Sequence, residues 1–217
     1  MGKTDHIPAP AVKRLSLYLR QLETFRDADR KTVSSRELGA VLGLSDAQVR
    51  KDFAYFGQFG HPGIGYRVPE LIQRVRRILG TDKTSHVVLV GAGNLGRALL
   101  AYRGFAQRGF DVVAVFDADR KKIGRTPPGP SQITVQSLEE LPSVVRRERV
   151  RSGILAVPAA AAQSVADLMV SAGIRGILNF APTVLRVESG VSVSSVDLAV
   201  HLEQLSFQVG PAESHSP

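Results

Sequence analysis

The sequence predicts an α/β protein with an N-terminal winged-helix domain, a Rossmann-like doubly wound parallel sheet and a C-terminal helix. Four observations support this prediction. Amphipathic helical segments and a glycine-punctuated hairpin segment lie within residues 1–80, and apolar strands alternate with helical segments over residues 86–194. A glycine-rich turn stands between the first of those strands and the helix after it. Residues 195–209 form one more amphipathic segment with no strand after it.

The first domain begins with three predicted helices. An amphipathic helix covers residues 11–26. Ser34 stands three residues before Glu37 in a capping box that begins the second helix, and Gly43 ends that helix. Ser45 begins a third helix with the related pattern Ser-x-x-Gln. Two short helices joined by a three-residue turn with glycine are typical of the helix-turn-helix motif.

The polar face of the third helix indicates nucleic-acid binding. Val49, Phe53 and Phe56 form its apolar stripe. The polar side chains off that stripe are Gln48, Arg50, Lys51 and Tyr55. Such side chains contact phosphates and base edges in a major groove. Residues 1–80 also hold 14 Lys and Arg against eight Asp and Glu. We therefore predict DNA binding; the alternative is a helical hairpin with a solvated charged face.

A wing and a fourth helix complete the predicted first domain. Glycine and proline punctuate residues 57–68, which predicts a β-hairpin. Pro69 at the first position and Gly80 after the last position bracket a helix over residues 69–79. The polar residues 81–85 then link this domain to the next one.

The glycine-rich turn is the most informative motif of the second domain. Residues 87–90 form a short, β-branched apolar run, as in a buried parallel strand. Gly91, Gly93 and Gly96 follow as G-x-G-x-x-G, and a helical segment begins there. The first glycine permits the tight turn, the second lets a pyrophosphate approach the backbone, and the third lets helix and strand pack closely. The N-terminus of the helix favours the bound anion.

An acidic residue supports a dinucleotide site. A second apolar run, residues 112–116, ends at Asp117, about 20 residues past Gly96, where an acid can bind the adenosine ribose hydroxyls. We therefore predict an NAD(H) site. We expect NAD(H) to be preferred over NADP(H), because Asp117 repels a 2′-phosphate and no arginine follows it directly. The alternative is a βαβ turn with a purely structural role.

Further strands and helices are predicted after Asp117. Apolar runs lie at residues 133–135, 154–157, 174–180 and 191–193, and an alanine-rich helix covers residues 159–172. Strands that alternate with helices in this way form a parallel sheet with helices on its faces. A dinucleotide lies at the carboxyl ends of such strands.

Composition limits the classes of protein. The chain has no cysteine, so it forms neither disulfides nor thiolate metal sites. No apolar run approaches the roughly 20 residues of a membrane span. We therefore expect a cytoplasmic protein with neither a metal nor a membrane partner. The five histidines lie in the two tails, the wing, a strand start and the last helix, and none is an obvious catalyst.

Several motifs together resemble the Rex family of bacterial redox-sensing transcriptional repressors. The resemblance covers essentially residues 8–208, and its motifs are Ser45–Gly57, Gly63–Tyr66, Val90–Gly96, Gly176–Pro182 and Val196–Leu198. The wing departs from the family pattern, because Pro62 stands where the family usually has a basic residue. The wing's share of DNA affinity is therefore open.

The resemblance implies a homodimer that binds palindromic operator DNA and is released when NADH binds. It also implies that the helix over 195–209 is exchanged between subunits; from the residues alone, packing on its own subunit is the alternative. The residues expected at DNA are Ser45, Gln48, Arg50, Lys51, Tyr55, His61, Gly63 and Tyr66. The residues expected at the dinucleotide are Gly91, Ala92, Gly93, Asn94, Leu95, Gly96, Tyr102, Asp117, Ala156, Val157, Pro158, Asn179, Phe180 and Asp197.

A switch is also expected from the resemblance. Asp197 would pair with Tyr102 in the NADH-bound form and with Arg20 in the DNA-binding form. The alternative to this switch is that Arg20 is an ordinary solvated helix residue and that Asp197 is an acid in the first turn of its helix, where the helix dipole favours it.

Three functions compete: a repressor that responds to NADH, an NAD-dependent dehydrogenase, and a CoA- or nucleotide-binding module with a basic interaction domain. A dehydrogenase needs a substrate domain and a general acid or base near the nicotinamide, and few residues remain after the sheet is built. The CoA interpretation leaves Asp117 unexplained and gives the helix pair no role. We therefore predict a repressor and no enzymatic activity.

Overall fold

The computed structural model describes residues 7–57, 59 and 65–210, and the chain divides into two compact units between residues 84 and 85. The four helices predicted for the first unit are present, together with two short strands. These elements are α1 (Ala9–Asp27), β1 (Thr32–Val33), α2 (Ser35–Leu42), α3 (Asp46–Ala54), β2 (Tyr66–Arg67) and α4 (Val68–Leu79).

Capping residues explain where α2 and α3 begin. Ser34 Oγ accepts a hydrogen bond from Glu37 N at 3.1 Å and Glu37 Oε2 accepts one from Ser34 N at 2.8 Å, which confirms the capping box. Gly43 has a φ of +67° and ends α2. Ser45 Oγ accepts from Gln48 N at 3.1 Å, so Ser45 is an N-cap. The pattern Ser-x-x-Gln also predicts the reciprocal contact, in which the Gln48 side chain accepts from Ser45 N. That part of the prediction is wrong, because the Gln48 side-chain amide donates to Asp52 Oδ1, one turn along α3.

Gly57, Phe59 and the end of the predicted wing lie within the described residues. There β2 pairs with β1 in antiparallel register, with Val33 opposite Tyr66. The strand β1 was not predicted from the sequence, because two residues carry too little pattern to reveal a strand. The remainder of the predicted hairpin, including His61, Pro62 and Gly63, lies outside the described residues.

Aromatic rings close the core of the first unit. The ring of Phe53 packs at 5.2 Å, between centroids, from the rings of Tyr18 and Tyr66. Val49 is buried beside them, and Phe56 is partly buried. The apolar stripe predicted for α3 is therefore confirmed, and it fixes α3 on α1 and β2.

The second unit is a six-stranded sheet in which every neighbouring pair of strands is parallel. In order along the chain its elements are β3 (Ser85–Val90), α5 (Asn94–Ala101), α6 (Gly104–Gln107), β4 (Phe110–Asp117), β5 (Val135–Ser137), a 3₁₀ turn (Leu138–Glu140), α7 (Leu141–Arg147), β6 (Ser152–Leu155), α8 (Ala159–Ser171), β7 (Gly176–Asn179), β8 (Ser192–Ser195) and α9 (Leu198–Val209). The spatial order is β5-β4-β3-β6-β7-β8. Counted from β3, this is the order 3-2-1-4-5-6 of the Rossmann fold, which confirms the predicted fold class.

Two apolar clusters lie on the opposite faces of this sheet. Val88, Phe116 and Leu155 are buried in a cluster with residues of α7 and α8. Leu89 and Ile154, which point the other way along their strands, belong to a cluster with residues of α5 and α6. The strands are thus buried on both faces, as their continuous apolar runs predict.

The last helix begins later than predicted. Ser195 pairs with Asn179 as the last residue of β8, and Val196 N donates to Asn179 O at 2.8 Å. The helix α9 therefore begins at Leu198 and not at Ser195. No helix in the described part of the chain is long and apolar enough to cross a membrane, and no group of three His, Asp or Glu residues there could hold a metal ion.

Candidate functional site

Two glycines of the fingerprint are required by the packing of the protein itself. Gly91 has a φ of +104°, and a Cβ there would lie 2.3 Å from the carbonyl oxygen of Ala156. A Cβ at Gly96 would lie 1.8 Å from the carbonyl oxygen of Gly91. These glycines therefore let β3 turn sharply into α5 and let α5 pack against that turn, as the motif requires.

The second glycine of the fingerprint, Gly93, leaves space for a ligand. A Cβ at Gly93 would meet no protein atom within 4 Å, so the packing of the chain does not demand a glycine there. Gly93 is also the N-cap of α5, and no side chain caps this helix end. The first N–H groups of α5 therefore keep their hydrogen-bonding capacity for an anion. The turn fits a pyrophosphate.

Asp117 ends β4 beside this turn. Its Oδ2 accepts hydrogen bonds from Ala92 N at 2.7 Å and Lys122 Nζ at 2.9 Å, and its Oδ1 accepts one from Asp119 N at 2.8 Å. Burial would raise the pKa of Asp117, but the hydrogen bonds from Lys122 and the two backbone N–H groups outweigh it and lower the pKa. The site thus holds a fixed carboxylate at the predicted ribose position, and it includes Lys122, which the sequence analysis did not select.

The predicted residues that follow β6 begin beside the fingerprint. Ala156 N donates to Val90 O at 2.8 Å, and Pro158 is the N-cap of α8. Val157 is close enough that a Cβ at Gly91 would approach its side chain to 3.1 Å. The carboxyl ends of β3 and β6 are therefore neighbours at the crevice in which Rossmann-fold proteins bind dinucleotides.

Asn179 is fully buried, and the chain itself uses its side chain. The amide nitrogen lies within hydrogen-bond distance of Ala181 O, Thr183 O and Ser195 Oγ, at 3.0–3.3 Å, and Oδ1 accepts from Ala181 N at 2.9 Å. Asn179 therefore fastens the loop after β7. Phe180, next in that loop, is half-buried against the α5 side of the sheet.

Tyr102 lies just after α5 rather than on it. It is exposed, and its ring meets the Phe105 ring edge to face at 5.2 Å between centroids. A Cβ at Gly104 would lie 2.2 Å from the Tyr102 ring, so this arrangement depends on glycine. Sequence reasoning missed Gly104 because it belongs to no recognised motif.

The two remaining switch candidates are accessible. Asp197 is the N-cap of α9, and its Oδ1 accepts hydrogen bonds from Ala199 N at 2.9 Å and Val200 N at 3.3 Å. Arg20 lies on α1 in the first unit, and it is exposed.

Four of the residues predicted at DNA lie on α3 or at its ends with accessible side chains. Arg50 is more than half exposed and donates to Asp46 Oδ2 at 2.6 Å. Lys51 and Tyr55 are exposed, and the hydroxyl of Ser45 caps the helix. Like the dinucleotide set, these assignments stay predictions.

Gln48 and Tyr66 are placed differently from what the sequence suggested. The Gln48 amide donates to a carboxylate within the unit. Tyr66 is only 8% exposed because its ring packs on Phe53 in the core. Burial of that ring argues against a direct contact of Tyr66 with DNA.

A buried carboxylate that the sequence analysis missed joins α1 to α3. Asp52 has no exposed surface, and it accepts hydrogen bonds from Arg14 Nε and Nη2 at 2.6 and 2.7 Å, from the Tyr18 hydroxyl at 2.7 Å and from Gln48 Nε2 at 2.8 Å. Burial would raise the pKa of Asp52, but these hydrogen bonds and the Arg14 charge lower it. We call these four residues the Asp52 cluster.

Comparisons with known proteins agree with this organisation. A family model described as "CoA binding domain" matches residues 82–183, and one described as "Putative DNA-binding protein N-terminus" matches residues 6–54. An N-terminal DNA-binding unit joined to a nucleotide-binding sheet is the organisation of a transcriptional regulator with a nucleotide sensor. Its relatives are named as transcriptional repressors, so the chain is a regulator rather than an enzyme.

The relatives identify the family. The redox-sensing transcriptional repressor Rex of Carboxydothermus hydrogenoformans is 51% identical over 203 residues, which cover 94% of this chain and 96% of that protein. A crystal structure of RSP in complex with β-NAD⁺ and operator DNA has a TM-score of 0.87 and 36% identity, covering 94% of this chain and 92% of that one. RSP in complex with β-NADH has a TM-score of 0.83 and 34% identity, covering 95% of each chain. The chain belongs to the Rex family of redox-sensing transcriptional repressors.

Proposed function

We propose that this protein binds palindromic operator DNA as a homodimer and leaves it when NADH binds, so that it reports the ratio of NADH to NAD⁺. One observation carries the proposal. Over 94% of its length the chain has the fold of RSP, a protein whose structures include one complex with β-NAD⁺ and operator DNA and another with β-NADH. We place the repressor in the cytoplasm, where it can reach both DNA and the nucleotide pool.

The ligand of the second unit is NAD(H) in this proposal. Gly93 leaves space before α5 for the pyrophosphate, and Asp117 presents a carboxylate for the adenosine ribose. The nicotinamide half then lies along Ala156–Pro158, Asn179 and Phe180. CoA, the ligand in the description of the matching family model, carries a 3′-phosphate on its ribose, which a carboxylate beside that ribose disfavours.

The DNA-binding surface of the first unit is the exposed side of α3. Arg50, Lys51 and Tyr55 offer two cations and an aromatic hydroxyl there, and Ser45 lies at the helix start. Arg50 can read a guanine or bind a phosphate once it leaves Asp46, and Lys51 can neutralise a phosphate. His61 and Gly63 of the wing stay in the predicted set.

The dimer is proposed to form through α9. No residue of α9 is buried, and the exposed Leu198, Leu202 and Leu205 lie at helical spacing along one side. On the same unit, Ile154, Leu178 and Phe105 line an apolar pocket of about 350 Å³. The leucine side of α9 and this pocket are both removed from water when α9 of a second copy covers them. Such an exchange of helices is a low-cost route to a dimer.

The switch is proposed to use Asp197. NADH and NAD⁺ differ by a hydride and by a positive charge on the nicotinamide, so only groups near that ring can distinguish them. Asp197 would pair with Tyr102 in the NADH-bound form and with Arg20 in the DNA-binding form. Full release by population shift requires NADH to favour the released form by up to ~10⁴.

The test begins with DNA selected in vitro from a random duplex library by the full chain in the presence of NAD⁺. We expect a two-fold symmetric site with half-sites about one helical turn, or a multiple of it, apart. Micromolar NADH should then release this DNA, whereas NAD⁺ at the same concentration should not. Selection of no symmetric site, or equal release by the two nucleotides, would contradict the proposal.

A further inference from the structure

The acid at the ribose position is paired with a cation. A carboxylate offers about four lone-pair positions. In Asp117 two positions on Oδ2 are taken by Ala92 N and Lys122 Nζ, and one on Oδ1 by Asp119 N. A ribose diol that binds both carboxylate oxygens therefore needs the position that Lys122 occupies.

Only the lysine can yield that position. The other two donors are backbone N–H groups, which the turn after β3 and the turn after β4 hold in place. The Lys122 side chain is 39% exposed, and it ends a flexible four-carbon stem that can turn toward solvent or toward the ligand. When the side chain turns toward the ligand, we expect its ammonium to lie near the 2′-position of the bound ribose.

We propose that Lys122 is a specificity-determining residue that sets how strongly the site distinguishes a 2′-hydroxyl from a 2′-phosphate. The proposal deepens the proposed NAD(H) function and rests on it. An unpaired Asp117 would repel a 2′-phosphate with its full charge, whereas the Asp117–Lys122 pair is close to neutral. Lys122 thus limits the rejection of NADPH, and it competes with the ribose of NADH for the carboxylate.

The test compares the Kd values of NADH and NADPH for the full chain by calorimetry. The parent should prefer NADH, as expected for an acid at the ribose. In Lys122→Ala the preference for NADH should rise by about tenfold, because one cation is lost beside a dianionic phosphate at a partly exposed site. Lys122→Gln keeps a polar chain of similar length without the charge, and it should show the same rise.

Lys121 provides the matched control. Its side chain is exposed, and its backbone N–H, which the substitution keeps, donates to Asp119 Oδ1 at 2.9 Å. Lys121→Ala removes the same charge one residue away, so its preference should stay within about twofold of the parent's.

The outcomes separate the two proposals. If the parent binds NADH and the Lys122 variants keep or lower its preference, the inference is wrong while the NAD(H) function stands. An equal rise in Lys121→Ala would assign the effect to general surface charge and would also overturn the inference. A parent that binds neither nucleotide would overturn the proposed function and, with it, the role of Lys122.

Discussion

Removal of Asp52 should destabilise the first unit more than any surface substitution in it. The Asp52 carboxylate is fully buried, and it is the shared acceptor for Arg14, Tyr18 and Gln48. Asp52→Ala leaves the Arg14 charge without its partner and the buried Tyr18 hydroxyl without its acceptor. The pKa of Tyr18 is raised by burial and by its hydrogen bond to Asp52, which shows how closely the two groups interact.

The magnitude follows from the geometry. Removing one member of a buried ion pair costs about 3–5 kcal/mol. The Arg14 side chain is 24% exposed and can partly turn to water, so we expect a loss of about 2–4 kcal/mol in the free energy of unfolding. Small domains have a free energy of unfolding of about 5–15 kcal/mol in total, so such a loss is a large share of it.

The same residue gives a pH dependence of definite sign. The folded-state pKa of Asp52 lies below its unfolded value of about 3.9. The stabilisation by Asp52 is therefore fully present above about pH 4 and is lost as the pH falls through the folded-state pKa. The stability difference between the parent and Asp52→Ala should be constant from pH 5 to 7 and should shrink below pH 4.

Hydrogen–deuterium exchange of the full chain measures this loss locally. Peptides of α1 and α3 should lose protection in Asp52→Ala, while peptides of the sheet should serve as an unchanged internal reference. Asp27→Ala is the control, because Asp27 is exposed at the end of α1 and pairs only with its neighbour Arg26 in the contacts described. A loss below about 1 kcal/mol, or one no larger than in the control, would refute the argument that the Asp52 cluster holds α3 on α1.

Two further predictions concern DNA and the switch. Arg50→Ala should cost about 1–3 kcal/mol in operator binding and relax specificity, and Lys51→Ala should lower the salt dependence by about one unit, both measured by fluorescence anisotropy at several salt concentrations. Unchanged binding by the double variant would remove both residues from the interface. Asp197→Ala should reduce the difference between NADH and NAD⁺ in DNA release, and Asp197→Asn, which can still cap α9, separates this effect from loss of the cap. Normal NADH-selective release by Asp197→Asn would contradict the proposed exchange of partners.

The sequence predicts well those features that depend on a short local pattern of residues. Gly91 and Gly96 could be assigned because they stand in a glycine turn between a strand and a helix, and Asp117 because it ends the next strand; the packing of the two glycines and the hydrogen bond from Ala92 N to Asp117 agree with these positions. The capping box at Ser34 is local in the same way. The parallel direction of the strands also follows from the alternation of strands and helices.

The residues that could not be predicted from the sequence owe their roles to side-chain contacts that only the folded chain brings together. Asp52 stands next to Lys51 on a helix and would pass for a solvated acid, yet its partner Arg14 lies 38 residues away on another helix. The same carboxylate also engages the side-chain amide of Gln48, which helical spacing had placed on the polar face. Lys122 belongs to a charged run that is ordinary at the surface, and only the turn after β4 brings its ammonium to Asp117.

The loop after β7 explains how the nucleotide edge of the sheet and α9 can act together. Asn179 ends β7, its amide nitrogen lies 3.3 Å from Ser195 Oγ, and its carbonyl oxygen accepts a hydrogen bond from Val196 N. Asp197, the next residue, caps α9. The first turn of α9 is therefore tied by short contacts to the strand end at which the nicotinamide is proposed to lie. At most one residue separates Asp197 from these hydrogen bonds, so the backbone that carries the proposed switch residue is held at the strand end, and no flexible loop lies between them.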